Sequence, residues 1–292
     1  MANGIIIVNK SPGWTSQDVT AKLRGVFHEK RIGHGGTLDP MASGVLPVFV
    51  GRATRGVEFF ESAEKEYIAG LRLGVVTNTQ DTTGETLETH PVSVTRKQLE
   101  AALAGFTGEI SQIPPMYSAI KIGGKKLYEI ARKGQEVERQ PRRVTIFELS
   151  VLDGAGADWT LRVRCSKGTY VRTLCHDIGQ TLGCGGCMSS LTRTVAGQFR
   201  LEQALTVEQI VEFCRENDPQ ALLLPVDALF SQYPPLIVPM GQAAKLRNGA
   251  DVRDWKFSDG AYRVYAEDGS FFALGEVHGS VLHSIKSFCE VN

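Results

Sequence analysis

No apolar run among the 292 residues approaches the ~20 that a bilayer-crossing helix needs, so a helical membrane anchor is not expected. The start, Met1-Ala2-Asn3-Gly4, carries no basic segment, and Ile5–Val8 is too short for the apolar part of a secretory signal. Six cysteines over this length, without such a signal, point to a reducing cytosol rather than a disulfide framework. Net charge is missing as well. The 32 Lys and Arg balance 32 Asp and Glu, so there is no overall pull towards nucleic acid and any basic footprint has to be local. Internal repeats and low-complexity segments are absent. What is present is a 42% hydrophobic content with a mean hydropathy of −0.11, enough for real cores in about two domains of ordinary size.

The chain is organised around Gly33–Pro47, where four glycines, a histidine and an acid fall within fifteen residues. Glycine serves where the backbone takes dihedrals that other residues avoid, or where something approaches the chain closely. Asp39 is the only ionisable acid in the window, and Pro40 biases it towards extended dihedrals, so its carboxylate is expected at a loop end. Asp followed by Pro is also a routine helix start, with Asp39 as N-cap and Pro40 in the first helical position. The dipeptide leaves both readings open.

Along the chain, Ile5–Val8 reads as a buried strand, Asn9–Gly13 as a turn, and Thr15 or Ser16 as the cap of a helix with Val19, Leu23, Val26 and Phe27 on one face. Val45–Val50 is a strand, and Arg52–Phe60 starts a helix. Lys65-Glu66-Tyr67 then leads a strand with Tyr67, Ala69, Leu71 and Leu73 on one side; on spacing alone, Tyr67 is a core aromatic. Asn78–Glu85 is a polar loop that lacks the regular spacing of a calcium loop, so no metal is assigned. Thr95 caps a helix with Leu99, Leu103 and Phe106 inward. From Lys121 to Arg143 eight Lys or Arg stand against three Glu, a local +5 beside paired glycines, Tyr117 and Tyr128. Such a run is either a solvated face or a flap that closes over phosphates.

Val144–Leu152 and Trp159–Cys165 read as a strand pair, the second cleanly alternating, followed by a helix with Val171, Leu174, Ile178 and Leu182 inward and Gly183 as its stop. Cys184-Gly185-Gly186-Cys187 has no second pair at zinc spacing, so it too is given no metal. Thr206–Cys214 is a short helix with a Thr-x-x-Gln box. Five prolines from Pro219 to Pro239 then mark a linker-like region, and Met240–Asn292 reads as short strands around glycine turns, a β-barrel of roughly 55 residues.

Gly33-His34-x-Gly36-Thr37-Leu38-Asp39-Pro40-x-Ala42-x-Gly44-Val45-Leu46-Pro47 resembles the catalytic motif of the TruB family, the tRNA pseudouridine-55 synthases. Gly35 departs from the Thr the family often carries there. Lys65-x-Tyr67, Ser166-Lys167-Gly168-Thr169-Tyr170-x-Arg172-Thr173, Leu191–Thr194, and Lys10 with Pro12 match further family motifs. The basic stretch resembles the family's inserted RNA-gripping segment. Lys245–Gly249 with Ala273–Val277 resembles a PUA-like RNA-binding domain.

The resemblance implies an α+β pseudouridine-synthase fold with a mixed, mainly antiparallel sheet and flanking helices. It implies a catalytic domain over 1–233, with an RNA-binding insertion at about 86–143, and a PUA-like domain over 234–292. It makes Asp39 the nucleophile, held ionised by Arg172. Tyr67 stacks on the uracil and assists proton removal, Tyr170 and Leu191 line the pocket, and His34 holds the flipped nucleotide or fills its gap. Lys10 and Pro12 support the loop. The reaction turns uridine into pseudouridine in the T arm of tRNA without cofactor or metal. Attack at ribose C1′, attack at base C6 and a glycal route stay open. The expected partner is tRNA, with no membrane, no obligate protein partner, a monomeric state and a cytoplasmic location. Two other classes compete: a glycosidic-bond hydrolase, which lacks an obvious second carboxylate, and a non-catalytic tRNA-folding module.

Overall fold

A computed structural model of the chain describes residues 2–253 and 256–289; Met1 and the final residues 290–292 of the expected second domain lie outside the described residues. The apolar run after Gly4 forms strand β1 (Gly4–Lys10), nearly all of it buried. Thr15 caps α1 (Ser16–Phe27) in a reciprocal box with Asp18, and Val19, Leu23 and Phe27 turn inward at helical spacing. β2 (Ile32–His34) enters the glycine-rich loop and β3 (Ser43–Val50) leaves it. The helix expected from Arg52 is broken into a 3-10 segment, Gly51–Gly56, and a short α2 (Val57–Glu61). β4 (Lys65–Leu73) buries Tyr67, Ala69, Leu71 and Leu73, the alternation that its sequence carries.

A small hairpin, β5 (Val75–Thr77) with β6 (Thr86–Thr89), carries the polar loop at its tip. Thr95 caps α3 (Arg96–Ala104), and β7 (Gly108–Gln112) follows. The basic stretch holds a second hairpin, β8 (Lys121–Ile122) and β9 (Lys125–Lys126), turned by Gly123 and Gly124 at positive φ, and the short α4 (Leu127–Ala131). β10 (Arg142–Ala155) and β11 (Asp158–Cys165) pair antiparallel, then come α5 (Val171–Thr181), β12 (Gly186–Ala196), β13 (Phe199–Arg200) and the Thr206-capped α6 (Val207–Glu216).

The main sheet runs β1-β3-β12-β4-β11-β10-β7, with β2 added on β3 and β13 on β12. Its pairings are antiparallel except β12 with β3, which are parallel at Thr192↔Ser43 and Arg193↔Gly44. That one parallel contact draws the end of the glycine-rich loop against the middle of the sheet. Tyr67, Leu71, Leu161, Leu174, Ile178 and Ile210 share the principal core. Along β4 and β11 the opposite face carries ion pairs, Arg162 with Glu66 at 2.7 Å and Arg72 with Asp158 at 2.8 Å, and is polar by design of the alternation.

Two expectations are corrected. The proline-marked region is no free linker: Leu224 exchanges backbone hydrogen bonds with Ile5 at 2.8 and 2.9 Å, and Val226, Leu229 and Phe230 are buried. Its apolar residues are spaced to enter a second core with Phe49, Phe60, Phe271 and Phe288, so the prolines shape a packed segment. The C-terminal part is also less purely β than expected. Between β14 (Pro235–Val238) and β15 (Val252–Arg253) lies a helix, α7 (Met240–Arg247), which buries Ala243 and Leu246 one turn apart. With β16 (Gly260–Ala266), β17 (Phe271–His278) and β18 (Val281–Ser287) it completes a curled half-barrel in the order β14-β16-β17-β18-β15. A third core, around Leu236, Phe272 and Leu282, lies inside it.

Gly44 has φ +101°, and a Cβ built on it would sit 2.2 Å from the Arg193 carbonyl oxygen. Gly44→Ala is expected to lower unfolding free energy by at least about 2 kcal/mol, read by urea denaturation, because both the dihedral and the strand contact resist a side chain.

Candidate active site

Asp39 starts no helix. Pro40 and Met41 form a turn closed by the Ala42 amide on the Asp39 carbonyl at 3.0 Å, which leaves the carboxylate at a loop end. Its side chain is 35% exposed, and Oδ2 accepts from Arg172 Nε at 2.8 Å. Among the described residues no hydrogen bond reaches Oδ1. One oxygen is thus held by a cation on a carboxylate that stays partly exposed, a disposition compatible with a nucleophile.

Arg172 is not a surface residue: it sits in the first turn of α5 and is 5% exposed. Besides Asp39, its guanidinium donates to the Thr79 carbonyl at 3.0 Å and the Tyr117 carbonyl at 2.8 Å, and Asp81 Oδ2 lies 3.7 Å from Nε. Asp81 is buried, its other oxygen accepting from the Thr79 and Thr83 hydroxyls at 2.8 and 2.6 Å and the Thr83 amide at 3.0 Å. The polar loop after β5 is therefore a second-carboxylate support for Arg172, and among the described residues no group of metal-binding side chains exists. Nothing in the local sequence marks Asp81 for this task; only the packing of the β5–β6 tip against α5 does.

The loop that carries Asp39 is pinned on every side. Lys10, 0% exposed, donates from Nζ to the carbonyls of Trp14 at 2.7 Å, Ser11 at 3.0 Å and Pro40 at 3.3 Å. The Gly13 amide also reaches Pro40 O at 2.8 Å, and the Ser16 hydroxyl accepts from the Leu38 amide at 2.9 Å. Lys10, expected with Pro12 to support the loop, reaches it at the Pro40 carbonyl. Arg193, 1% exposed on β12, donates to Val45 O at 2.7 Å and Gly36 O at 3.2 Å. Sequence reasoning assigned Arg193 no role.

Tyr67 and Leu191, both 8% exposed, lie on the neighbouring strands β4 and β12 within the principal core. Burial pushes the Tyr67 phenol up, offset in part by Arg193, and Asp39 adds to the rise. Tyr170, immediately before α5, is held through its backbone by Gln112, which accepts from the amide at 3.0 Å and donates to the carbonyl at 3.3 Å. Burial raises its phenol as well, with Asp39 again contributing. His34, at the end of β2, approaches Gln17 at 3.2 Å; burial, then the Arg193 charge, lowers its pKa and favours the neutral ring.

Gly35 has its own steric setting. A Cβ there would meet Phe60 ring carbons at 2.5 and 2.9 Å and Phe49 at 3.0 Å. The space of the usual Thr side chain is occupied in this chain by the Phe60 ring. Gly35→Thr is expected to destabilise by roughly 1–3 kcal/mol, and Phe60→Leu in the same chain to recover part of that loss in a double-mutant cycle.

Burial also lowers Lys10 from 10.5 to about 8, against the opposing pull of Asp39. Between those values the unfolded chain binds more protons than the folded one, so stability rises with pH across that window. Unfolding followed by urea from pH 8 to 10 should show a shallower rise in Lys10→Met than in the parent chain.

Residues 24–171 match the model of the TruB family pseudouridylate synthase N-terminal domain, and residues 172–231 match the tRNA pseudouridylate synthase B C-terminal domain. The tRNA pseudouridine synthase B of an Azoarcus species is 43% identical over 280 residues, 94% of this chain and 91% of the relative. That of Bacillus cytotoxicus is 46% identical over 259 residues, 86% of this chain and 84% of the relative. Among solved structures, a chain of a Cbf5-Nop10-Gar1 complex superposes with a TM-score of 0.74 at 28% identity, covering 98% of this chain and 85% of that one. With two family models side by side across the Asp39–Arg172 site and relatives aligned over most of their length, the chain belongs to the TruB family of pseudouridylate synthases.

Proposed function

We propose that this TruB-family chain, a tRNA pseudouridine synthase that isomerises uridine to pseudouridine in tRNA, acts on uridine 55 of the T arm, with Asp39 as nucleophile and no cofactor. The observation that carries the reading is the 2.8 Å bond from buried Arg172 to the partly exposed Asp39. It orients a partly exposed carboxylate for attack on ribose C1′ or base C6. The C1′–N1 bond breaks, the base turns, C1′ joins C5, and the proton lost from C5 ends on N1; no redox equivalent enters or leaves.

Tyr67, buried on β4, stacks on the uracil and assists proton removal from C5. Tyr170 and Leu191 line the pocket. His34, at the end of β2 with its neutral form favoured by burial, fills the gap or holds the extruded nucleotide. The hairpin of Lys121–Lys126 and the rest of the basic stretch grip phosphates. Residues 1–233, with an insertion at about 86–143, form the catalytic domain and 234–292 a PUA-like RNA-binding domain. The enzyme is a cytoplasmic monomer.

Modification mapping of an unmodified tRNA transcript in EDTA-containing buffer tests this. The parent chain should convert U55 alone. Asp39→Asn should lose turnover by a factor of about 1,000 or more while binding the transcript within about threefold of the parent. Free uracil instead of pseudouridine would mean a hydrolase, and binding without conversion by the parent chain an RNA-folding module.

A further inference from the structure

Arg193 is the largest fully buried side chain among the described residues. A buried charge costs several kcal/mol unless it is well paired, yet the acids of the site, Asp39 and Asp81, both face Arg172. The Arg193 guanidinium donates to backbone carbonyls instead, Val45 O at 2.7 Å, Gly36 O at 3.2 Å and, more weakly, Thr37 O at 3.5 Å, and it also acts on the Tyr67 phenol. These acceptors lie on both sides of Asp39. Its backbone is pinned as well, paired parallel with Gly44 on β3 and antiparallel with Tyr67 on β4. No lysine has the planar fork of donors that reaches separate carbonyls at once.

We infer that Arg193 is a positioning residue of the isomerisation: its guanidinium clamps the two arms of the Gly36–Val45 loop and so fixes Asp39 relative to Tyr67. The inference rests on the proposed roles of Asp39 and Tyr67. It assigns Arg193 a task separate from that of Arg172, which touches the carboxylate itself. Arg193, 1% exposed, acts through the loop and sets where Asp39 and Tyr67 stand.

Single-turnover conversion and tRNA binding, measured on Arg193→Lys and Arg193→Ala beside Asp39→Asn, test it. Arg193→Lys keeps the charge but loses the fork. Its rate should fall about 100-fold, the size of effect that small misplacement of reacting groups produces, with binding within about threefold of the parent. Guanidinium ion added to Arg193→Ala should restore part of the rate, and ammonium ion should not. A lysine variant within about threefold of the parent rate overturns the inference. Rate and binding falling together, or both variants unfolded by circular dichroism, overturns it equally, since Arg193 would then serve the fold alone. If Asp39→Asn itself converts U55, the nucleophile assignment fails whatever the Arg193 variants do.

Discussion

A guanidinium removed from water must find acceptors for its N–H groups inside the protein, and Arg172 finds them in segments distant in the chain: Asp39, Thr79 and Tyr117. Each acceptor lies in a connection between regular elements, where backbone carbonyls and a loop carboxylate are not already committed to a helix or ladder. The glycine-rich loop, the tip after β5 and the segment before the basic hairpin are thereby tied to the first turn of α5. Breaking this contact would leave a buried cation short of partners, so the geometry of Asp39 is locked by the same energetics that close the core.

Around that pair the site is richer in cations than in acids. Lys10, Lys65, Arg172 and Arg193 are all buried, against Asp39 and Asp81. Lys65 gives its Nζ to the carbonyls of Ala63 at 2.5 Å and Glu61 at 3.1 Å, and burial, reinforced by Arg193, lowers it to about 8. Backbone carbonyls thus do much of the neutralising that carboxylates do elsewhere. The surplus of positive field is suited to a polyanionic substrate and to a base that leaves with its bonding electrons. A chain of zero net charge builds an electropositive site by placement alone.

The aromatic core under β1 and β3 extends this stiffness to the C-terminal half-barrel. Phe230 packs against Phe59, Phe271 and Phe288 with ring centroids 5.4 to 6.2 Å apart, and Phe60 continues the series to Phe49 and Phe199. Tyr265 bonds Asp227 at 2.5 Å across the same boundary. The Phe60 ring also closes over Gly35, so the glycine that departs from the family's usual residue belongs to the packing that joins the two halves.

Much of this was legible in the residues. An unbroken apolar run located β1, and periodicity located α1, β4, β11 and α5, because a buried face imposes its spacing directly on the sequence. The capping boxes at Thr15, Thr95 and Thr206 stood where a hydroxyl and a carboxyl or amide three residues on satisfy helix amides locally. The motif around Asp39 named the loop and its acid. Other features follow from contacts between residues far apart and leave no local trace. Asp-Pro reads as a helix cap until Arg172 arrives from 133 residues away, and Asp81 reads as a loop acid until α5 packs on it. The proline-marked stretch reads as a linker until Ile5 pairs with Leu224, and α7 hides among glycines until Ala243 and Leu246 find a core. Sequence by itself determined which residues could carry the chemistry and the elements that bear them; tertiary structure alone decided which charges meet, since desolvation and hydrogen-bond pairing exist only once distant segments share one interior.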